Sequence, residues 1–177
     1  MELISTLTVG AGGAASITFS SIPATYTDLV LLFSVRSSNS STTNAALFSL
    51  NGSTANFTDN WLQGNGSSAS SNSNGGAAYG NGGYLGLING DTSTANTFSN
   101  VQLYIPNYAG STNKTFSVNG VVENNATAGW NICVAGVWAN TSAITSLSLS
   151  TYSANMKEGT TASLYGILKG SGGATVA

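Results

Sequence analysis

Apolar and polar residues alternate along much of the chain with a period of two, which is the pattern of β-strands. Lys114 to Glu123 shows it most regularly, with Phe116, Val118, Gly120 and Val122 on one face. The predicted strands are Leu3 to Val9, Ala15 to Phe19, Asp28 to Arg36, Ala45 to Leu50, Phe98 to Ile105, Lys114 to Glu123, Trp130 to Val137, Ile144 to Leu149 and Ala162 to Leu168. About nine or ten strands at this spacing predict an all-β fold: one antiparallel β-sandwich, jelly-roll-like, spanning 1–177.

Two of these segments carry apolar residues on both faces. In Asp28 to Arg36, Val30 and Leu32 lie on the face opposite Leu31 and Phe33, which predicts a strand covered on both sides. The run from Trp130 to Trp138 is almost entirely apolar, so both tryptophans are expected in the core. Cys133 lies in the same run and is expected to be a buried small hydrophobe. As the one cysteine of the chain, it has no intrachain disulfide partner.

Three segments are predicted to lie outside the sandwich. Residues 1–13 read as an extended N-terminal arm that adds a strand to a neighbouring subunit, with Leu3, Leu7 and Val9 as its interface residues. Residues 63–83 are of low complexity, rich in Gly, Ser and Asn, and read as a long surface loop, because they bury too little apolar surface to offset their ordering entropy. The Gly-rich tail, 170–177, is expected to be flexible.

The composition supports a β-rich protein that functions within an assembly. Only 6% of the residues are charged, against about 25% in an ordinary soluble domain. Ser, Thr, Asn and Gly replace the usual charged surface, and they disfavour helices. A surface with so little charge repulsion suits a dense assembly. The competing interpretation is that the low charge reflects nutrient or codon economy in the source.

Several classes of chemistry are excluded by missing residue types. The chain has no histidine and one cysteine, which removes Ser-His-Asp and Cys-His catalysis and the usual zinc sites. We therefore expect no enzymatic activity, metal or cofactor. A glycosidase pair formed by Asp59 and Asp91 is the weaker alternative to two solvated turn residues.

Charge and hydropathy also limit the partners. Four cations and a net charge of -2 provide no basic patch, so no nucleic-acid partner is expected. No apolar run reaches the 18 residues of a membrane span, so no membrane partner is expected either. Carbohydrate remains open, because aromatic rings stack on sugars. Trp61, Tyr79 and Tyr84, beside or within the low-complexity segment, are the candidate glycan contacts.

Four segments, taken in order, resemble a group of tailed-phage virion proteins that are common in marine and cyanobacterial phages. They are FSSIPATYTDL from Phe19, IPNY from Ile105, WANTSAITSL from Trp138 and ASLYGI from Ala162. In that group the module occurs as a stand-alone capsid decoration (cement) protein and as the end domain of tail fibres. The resemblance spans most of the chain but skips Ser38 to Thr97, and it implies a β-sandwich, trimerisation and no catalysis.

The resemblance yields two functional hypotheses. The first is a cement protein on the capsid surface, assembled in the host cytoplasm, that forms homotrimers and bridges subunits of the major capsid protein. The alternative is a tail or tail-fibre protein that binds host surface polysaccharide. In either case the first and last core strands are expected to pair, with Gly166 permitting close approach of another backbone.

Overall fold

The computed structural model describes residues 1–123, 125 and 128–168, so the predicted flexible tail at 170–177 lies outside the described residues. The described strands are β1 (Glu2–Thr8), β2 (Ser16–Phe19), β3 (Tyr26–Val35), β4 (Thr43–Leu50), β5 (Phe57–Gly64), β6 (Ala69–Ser73), β7 (Gly83–Asn89), β8 (Ser99–Ile105), β9 (Lys114–Glu123), β10 (Gly129–Trp138), β11 (Leu147–Thr151) and β12 (Thr161–Leu168). A helical turn, α1 (Gly75–Ala78), separates β6 from β7. No helix in this part of the chain has the length and apolar character needed to cross a membrane.

The strands form two antiparallel sheets packed face to face, which confirms the predicted all-β sandwich. The large sheet has the order β1-β12-β3-β8-β9-β10-β5-β6, and the small sheet has the order β2-β11-β4-β7. The division is unequal, with eight strands in one sheet and four in the other. A jelly roll, by comparison, has eight strands in all, arranged as two Greek keys. Three consecutive strands, β8, β9 and β10, form a meander at the centre of the large sheet.

The core lies between the sheets and follows the alternation of the sequence. In β9 every second side chain from Lys114 to Val122 is buried. Phe116 of β9 meets Phe48 of β4 edge to face, with ring centroids 5.0 Å apart. Phe57 of β5 meets Phe48 in the same way at 5.4 Å and stacks on Trp138. Such aromatic pairs contribute about 0.5–1.5 kcal/mol each beyond their buried area, and here they join the two sheets.

The predicted pairing of the first and last core strands occurs between β3 and β12, with Gly166 opposite Leu29. The reason for the glycine differs from the expectation. A Cβ at Gly166 would lie 2.2 Å from Cγ of Tyr26, so the close neighbour is an aromatic ring and not a backbone. The glycine makes room for the Tyr26 side chain against the sheet.

The predicted N-terminal arm needs correction, because its residues pair within the chain. β1 forms the edge of the large sheet and runs antiparallel to β12. Val9 continues the contact, since its N–H donates to the Thr160 carbonyl at 2.8 Å and its own carbonyl accepts the Gly159 N–H. The backbone groups that an arm would offer to a neighbour are already used on one side, and only the outer edge of β1 is unpaired within the described fold.

The predicted loop over 63–83 also needs correction. Its first residues belong to β5, and Ala69–Ser73 forms β6, which pairs with β5 although all five side chains are exposed. The turn α1 follows, and its first two amides donate to the Asp59 carboxylate, at 2.6 Å from Gly75 and 3.3 Å from Gly76. Order in this segment therefore comes from backbone pairing and one buried carboxylate, which compensate for the missing apolar burial.

Asp59 is expected to control the stability of this segment. It is buried, and Asp59→Asn replaces one of its two acceptor oxygens by an NH2 group that cannot accept from an α1 amide, so the free energy of unfolding should fall by about 1–3 kcal/mol at pH 7. Burial raises the pKa of the Asp59 carboxyl, although the amides of Gly75 and Gly76 oppose that shift. The folded state therefore takes up the proton first as the pH falls.

The raised pKa of Asp59 determines how the free energy of unfolding depends on pH. Stability linked to Asp59 protonation is fully present below the ordinary pKa of 3.8 and is lost as the pH rises through the higher folded value. Relative to Asp59→Asn, the wild type should gain stability between neutral and acidic pH, measured by urea unfolding. Asp91→Asn is the matched control with the opposite slope, because Lys157 lowers the pKa of Asp91. Parallel pH profiles of the wild type and Asp59→Asn would contradict the assignment.

Candidate interaction surfaces

The outer face of the large sheet is a broad surface of uncharged side chains, which we call the neutral face. One row across five strands consists of Leu32, Gln102, Asn119, Cys133 and Leu62, each directly opposite the next. The flanking rows contribute Asn100, Val121 and Asn131 on one side and Ser117, Ala135 and Asn60 on the other. Strands in a sheet lie about 4.8 Å apart, so the central row alone spans about 19 Å.

Large aliphatic side chains are exposed on this face. Leu32 is 42% exposed, Leu62 51% and Val121 50%. The expectation that β3 is covered on both sides therefore holds at Val30, which is 6% exposed, but not at Leu32. Single exposed aliphatic residues are ordinary, whereas several on one sheet face form an apolar patch of the kind found at interaction sites.

Cys133 also lies on the neutral face, where its side chain is exposed. This corrects the prediction of a buried thiol. Its neighbours Ile132 and Val134 point into the core, so the period of two turns Cys133 outwards. The face has two shallow clefts of about 300 and 360 Å³, and Cys133 and Asn119 line both.

Of the three cations within the described residues, two are directed inwards. The Arg36 guanidinium is buried and donates to the carbonyls of Thr94, Thr97, Asp91 and Ser93 at 2.6–3.2 Å. The Lys114 ammonium donates to carbonyls of the loop before β9, and burial lowers its pKa. These cations hold loops in place and are withdrawn from the surface.

The two acidic residues considered as a glycosidase pair have separate partners. Asp59 lies within β5 and accepts the α1 amides, so it is not a solvated turn residue. Asp91 is exposed and forms an ion pair with Lys157. Each carboxylate has a structural contact of its own, and the geometry does not bring them together as a pair.

The three predicted interface residues have different environments. Leu3 is 53% exposed, Leu7 packs against the core, and Val9 is buried at 4% exposure. A bulge in β1 explains the difference, since Leu3 lies opposite Tyr165 while Ser5 lies opposite the adjacent Leu164. The bulge puts Leu3 on the outer side of β1 and Leu7 on the core side, although the two are an even number of residues apart. Leu3 alone of the three is accessible, at the border of the neutral face.

The three candidate glycan contacts are also separated by the structure. Trp61 is half-buried in β5 and packs against the core. Tyr84 is 2% exposed, and burial raises its pKa. Tyr79 is half-buried and stacks on Tyr84, with ring centroids 5.7 Å apart. Tyr84 therefore supports Tyr79 from beneath, and Tyr79 alone of this pair has an accessible surface.

Tyr152, which follows β11 and is 53% exposed, was not among the predicted contacts. Its ring meets Tyr79 edge to face at 5.2 Å. The two rings border a cleft of about 220 Å³, which we call the tyrosine cleft. Its lining consists of Asn39, Ser41, Thr43, Asn44, Ala45, Tyr79, Leu87, Tyr152 and Ser153. The cleft lies on the outer face of the small sheet, on the side of the sandwich opposite the neutral face.

Comparison of the chain with protein-family models, with curated proteins and with solved structures gives no match. The resemblance to phage virion proteins thus stays a prediction.

Proposed function

We propose that this protein is a structural component of a tailed-phage particle: a cement protein that associates with copies of itself and bridges subunits of the major capsid protein on the capsid surface. The observation that carries the proposal is the neutral face. A face of amides, hydroxyls and exposed aliphatic residues, without a charged side chain among its named members, can be buried against a partner without desolvating a charge.

The size of the neutral face fits such a contact. Eight strands at about 4.8 Å spacing give a sheet about 34 Å wide, and five or six residues along each strand give about 18 Å. The resulting area of about 600 Å² is close to the ~800 Å² that each partner contributes to a standard stable interface. An interface of this size is sufficient for a specific contact with a lattice.

The open edges of the large sheet favour self-association. The sheet ends at β1 on one side and at β6 on the other. β6, the sequence ASSNS, has no charge and no proline, the devices that usually protect an edge from pairing. A contact between the β1 edge of one copy and the β6 edge of the next is heterologous, and where the rotation between copies closes, such contacts form rings, of which the trimer expected from the resemblance is one.

The alternative placement is in the tail, as a receptor-binding protein for surface polysaccharide. The tyrosine cleft is the observation that favours it. Copy number separates the two placements: quantitative mass spectrometry of purified particles should find on the order of hundreds of copies for a protein bound to the shell lattice. A count of a few dozen or fewer would refute the cement placement and favour the tail.

Cys133 provides a direct test of the docking surface. Because it is the one cysteine of the chain and lies within the neutral face, the rate of its alkylation by a maleimide reports the exposure of that face. The rate should be high in the free protein and strongly reduced in intact particles. Equal rates in both states would show that a different face makes the contact.

A further inference from the structure

We infer that the tyrosine cleft binds one neutral sugar ring, with the pyranose packed on the rings of Tyr79 and Tyr152. This site is independent of the docking role of the neutral face. Tyr152 is more than half exposed, and its ring meets the Tyr79 ring at an interplanar angle of 67°, which orients it beside a concave surface. An amphipathic ring of fixed orientation is the usual platform for the C–H face of a sugar.

The polar wall of the cleft is fixed by hydrogen bonds. The Asn39 amide nitrogen donates to the Ser153 hydroxyl at 2.8 Å, and the Asn39 side-chain oxygen accepts the Ser41 N–H at 2.9 Å. Asn44 is held in the same way, since its amide nitrogen donates to the Ser37 hydroxyl and to the Ser153 carbonyl. The hydroxyls and amides along this wall therefore have defined positions before a ligand arrives, which lowers the entropic cost of binding.

The aromatic side of the cleft is supported from below. Tyr79 stacks on the buried Tyr84, and the Tyr84 ring fills the space above Gly75, where a Cβ would lie 2.5 Å from it. Gly75 is in turn held by the Asp59 carboxylate. The low-complexity segment thus positions Tyr79 through a chain of contacts that begins in the large sheet.

Charge and volume define the ligand class. None of the nine lining residues is charged, so the cleft offers no ion pair to a uronate, sialate or phosphate group. Its volume of about 220 Å³ is below the ~300–1,000 Å³ of pockets for drug-sized ligands, so it holds one sugar residue of a chain, not an oligosaccharide. Hydroxyls and amides match the donor and acceptor pattern of neutral sugar hydroxyls.

The expected affinity for one ring is weak, with a dissociation constant on the order of millimolar, because few atoms are buried. Assembly of several copies increases the apparent affinity for a polymeric glycan. Copies held with the neutral face towards a lattice present the tyrosine cleft on the opposite side, and several cleft–sugar contacts to one polysaccharide gain avidity. A free neutral glycan and a glycan on a cell surface share this chemistry.

Saturation-transfer NMR with the full chain and a panel of neutral hexoses tests the inference. We expect transfer to the C–H protons of at least one sugar, and loss of at least about tenfold in affinity with Tyr152→Ala, as when one principal contact of a weak ligand is removed. Tyr152→Phe should retain binding, since the ring face carries the contact. Tyr165→Ala is the matched control, because Tyr165 lies on the large sheet, and it should bind as the wild type does.

Several outcomes would overturn the site. Absence of transfer from every neutral hexose at about 50 mM, well above the expected millimolar range, would refute it. Equal binding by wild type and Tyr152→Ala, with unchanged thermal melting, would place the sugar elsewhere. Preference for an acidic sugar over its neutral analogue would contradict the charge argument. Unchanged Cys133 protection in particles of the Tyr152→Ala variant separates this result from the docking proposal.

Discussion

Replacing Arg36 by alanine is expected to lower the free energy of unfolding by about 3 kcal/mol or more, the largest stability effect of any single charged residue described in this protein. The side chain is 4% exposed, and its two terminal nitrogens donate to four backbone carbonyls between Asp91 and Thr97. Those carbonyls belong to the connection between β7 and β8. Without the guanidinium they lose their common donor, and a cavity replaces it.

The geometry explains why arginine occupies this position. A planar guanidinium presents several N–H groups in a fixed fork, and here NH1 and NH2 each serve two carbonyls. Arg36→Lys keeps the charge but offers one nitrogen, so it should recover only part of the loss. Because the loss of a buried donor is costly, the order of stability should be wild type, then Arg36→Lys, then Arg36→Ala.

Urea unfolding followed by tryptophan fluorescence measures these differences. Lys157→Ala is the control for charge removal. In its ion pair with Asp91 the Lys157 side chain is 39% exposed and the Asp91 side chain 45% exposed, and exposed ion pairs contribute little to stability. The interpretation fails if Arg36→Ala unfolds within about 0.5 kcal/mol of the wild type, the range of an ordinary surface substitution.

The strands that the sequence predicted best are those with one buried face. The predicted bounds of β9 agree with the structure at both ends, because every second residue is apolar or small. β5 was not predicted. Its Asp59-Asn60 dipeptide is typical of turns, but a distant partner, the amides of α1, satisfies the Asp59 carboxylate inside the sandwich. Local propensity does not contain that long-range contact.

The candidate surfaces were predictable only in part. Tyr79 was named from its place in a polar segment, whereas Tyr152 was missed because it lies outside the predicted strands and meets Tyr79 through folding alone. Cys133 was expected to be buried because its neighbours are apolar. The alternation of Cys133 with Ile132 and Val134 places its side chain on the opposite face of β10, but the sequence does not show that this outer face of the large sheet is uncovered.

The opposite placement of the two surfaces gives the sandwich a direction. The neutral face covers the outer side of the large sheet, and the tyrosine cleft lies on the outer side of the small sheet. The core between them is fixed by interlocking aromatic rings from both sheets, such as Phe48 and Phe116. A subunit that docks through one surface therefore holds the other in a defined outward orientation, because a packed core transmits position without bending.

Asn119→Lys is expected to abolish association through the neutral face while the protein remains folded. Asn119 is exposed near the centre of the face, between Gln102 and Cys133 in the central row. A lysine there costs the free chain little, because an exposed substitution changes stability by about 0.5 kcal/mol or less. Docking, by contrast, would bury an unpaired ammonium, and a penalty of about 3 kcal/mol corresponds to a loss of more than 100-fold in affinity.

Co-sedimentation with particles that lack the protein, and light scattering for self-association, would measure the effect. The matched control is Asn155→Lys, the same change at an exposed position in the loop between β11 and β12, away from the large sheet face. Binding should be lost for Asn119→Lys and retained for Asn155→Lys, with equal melting temperatures. If both variants bind equally, the docking surface lies elsewhere, and if both lose binding, added positive charge and not its position is responsible. Only a position-dependent loss supports the neutral face as the surface that meets the lattice, since overall charge is the same in the two variants.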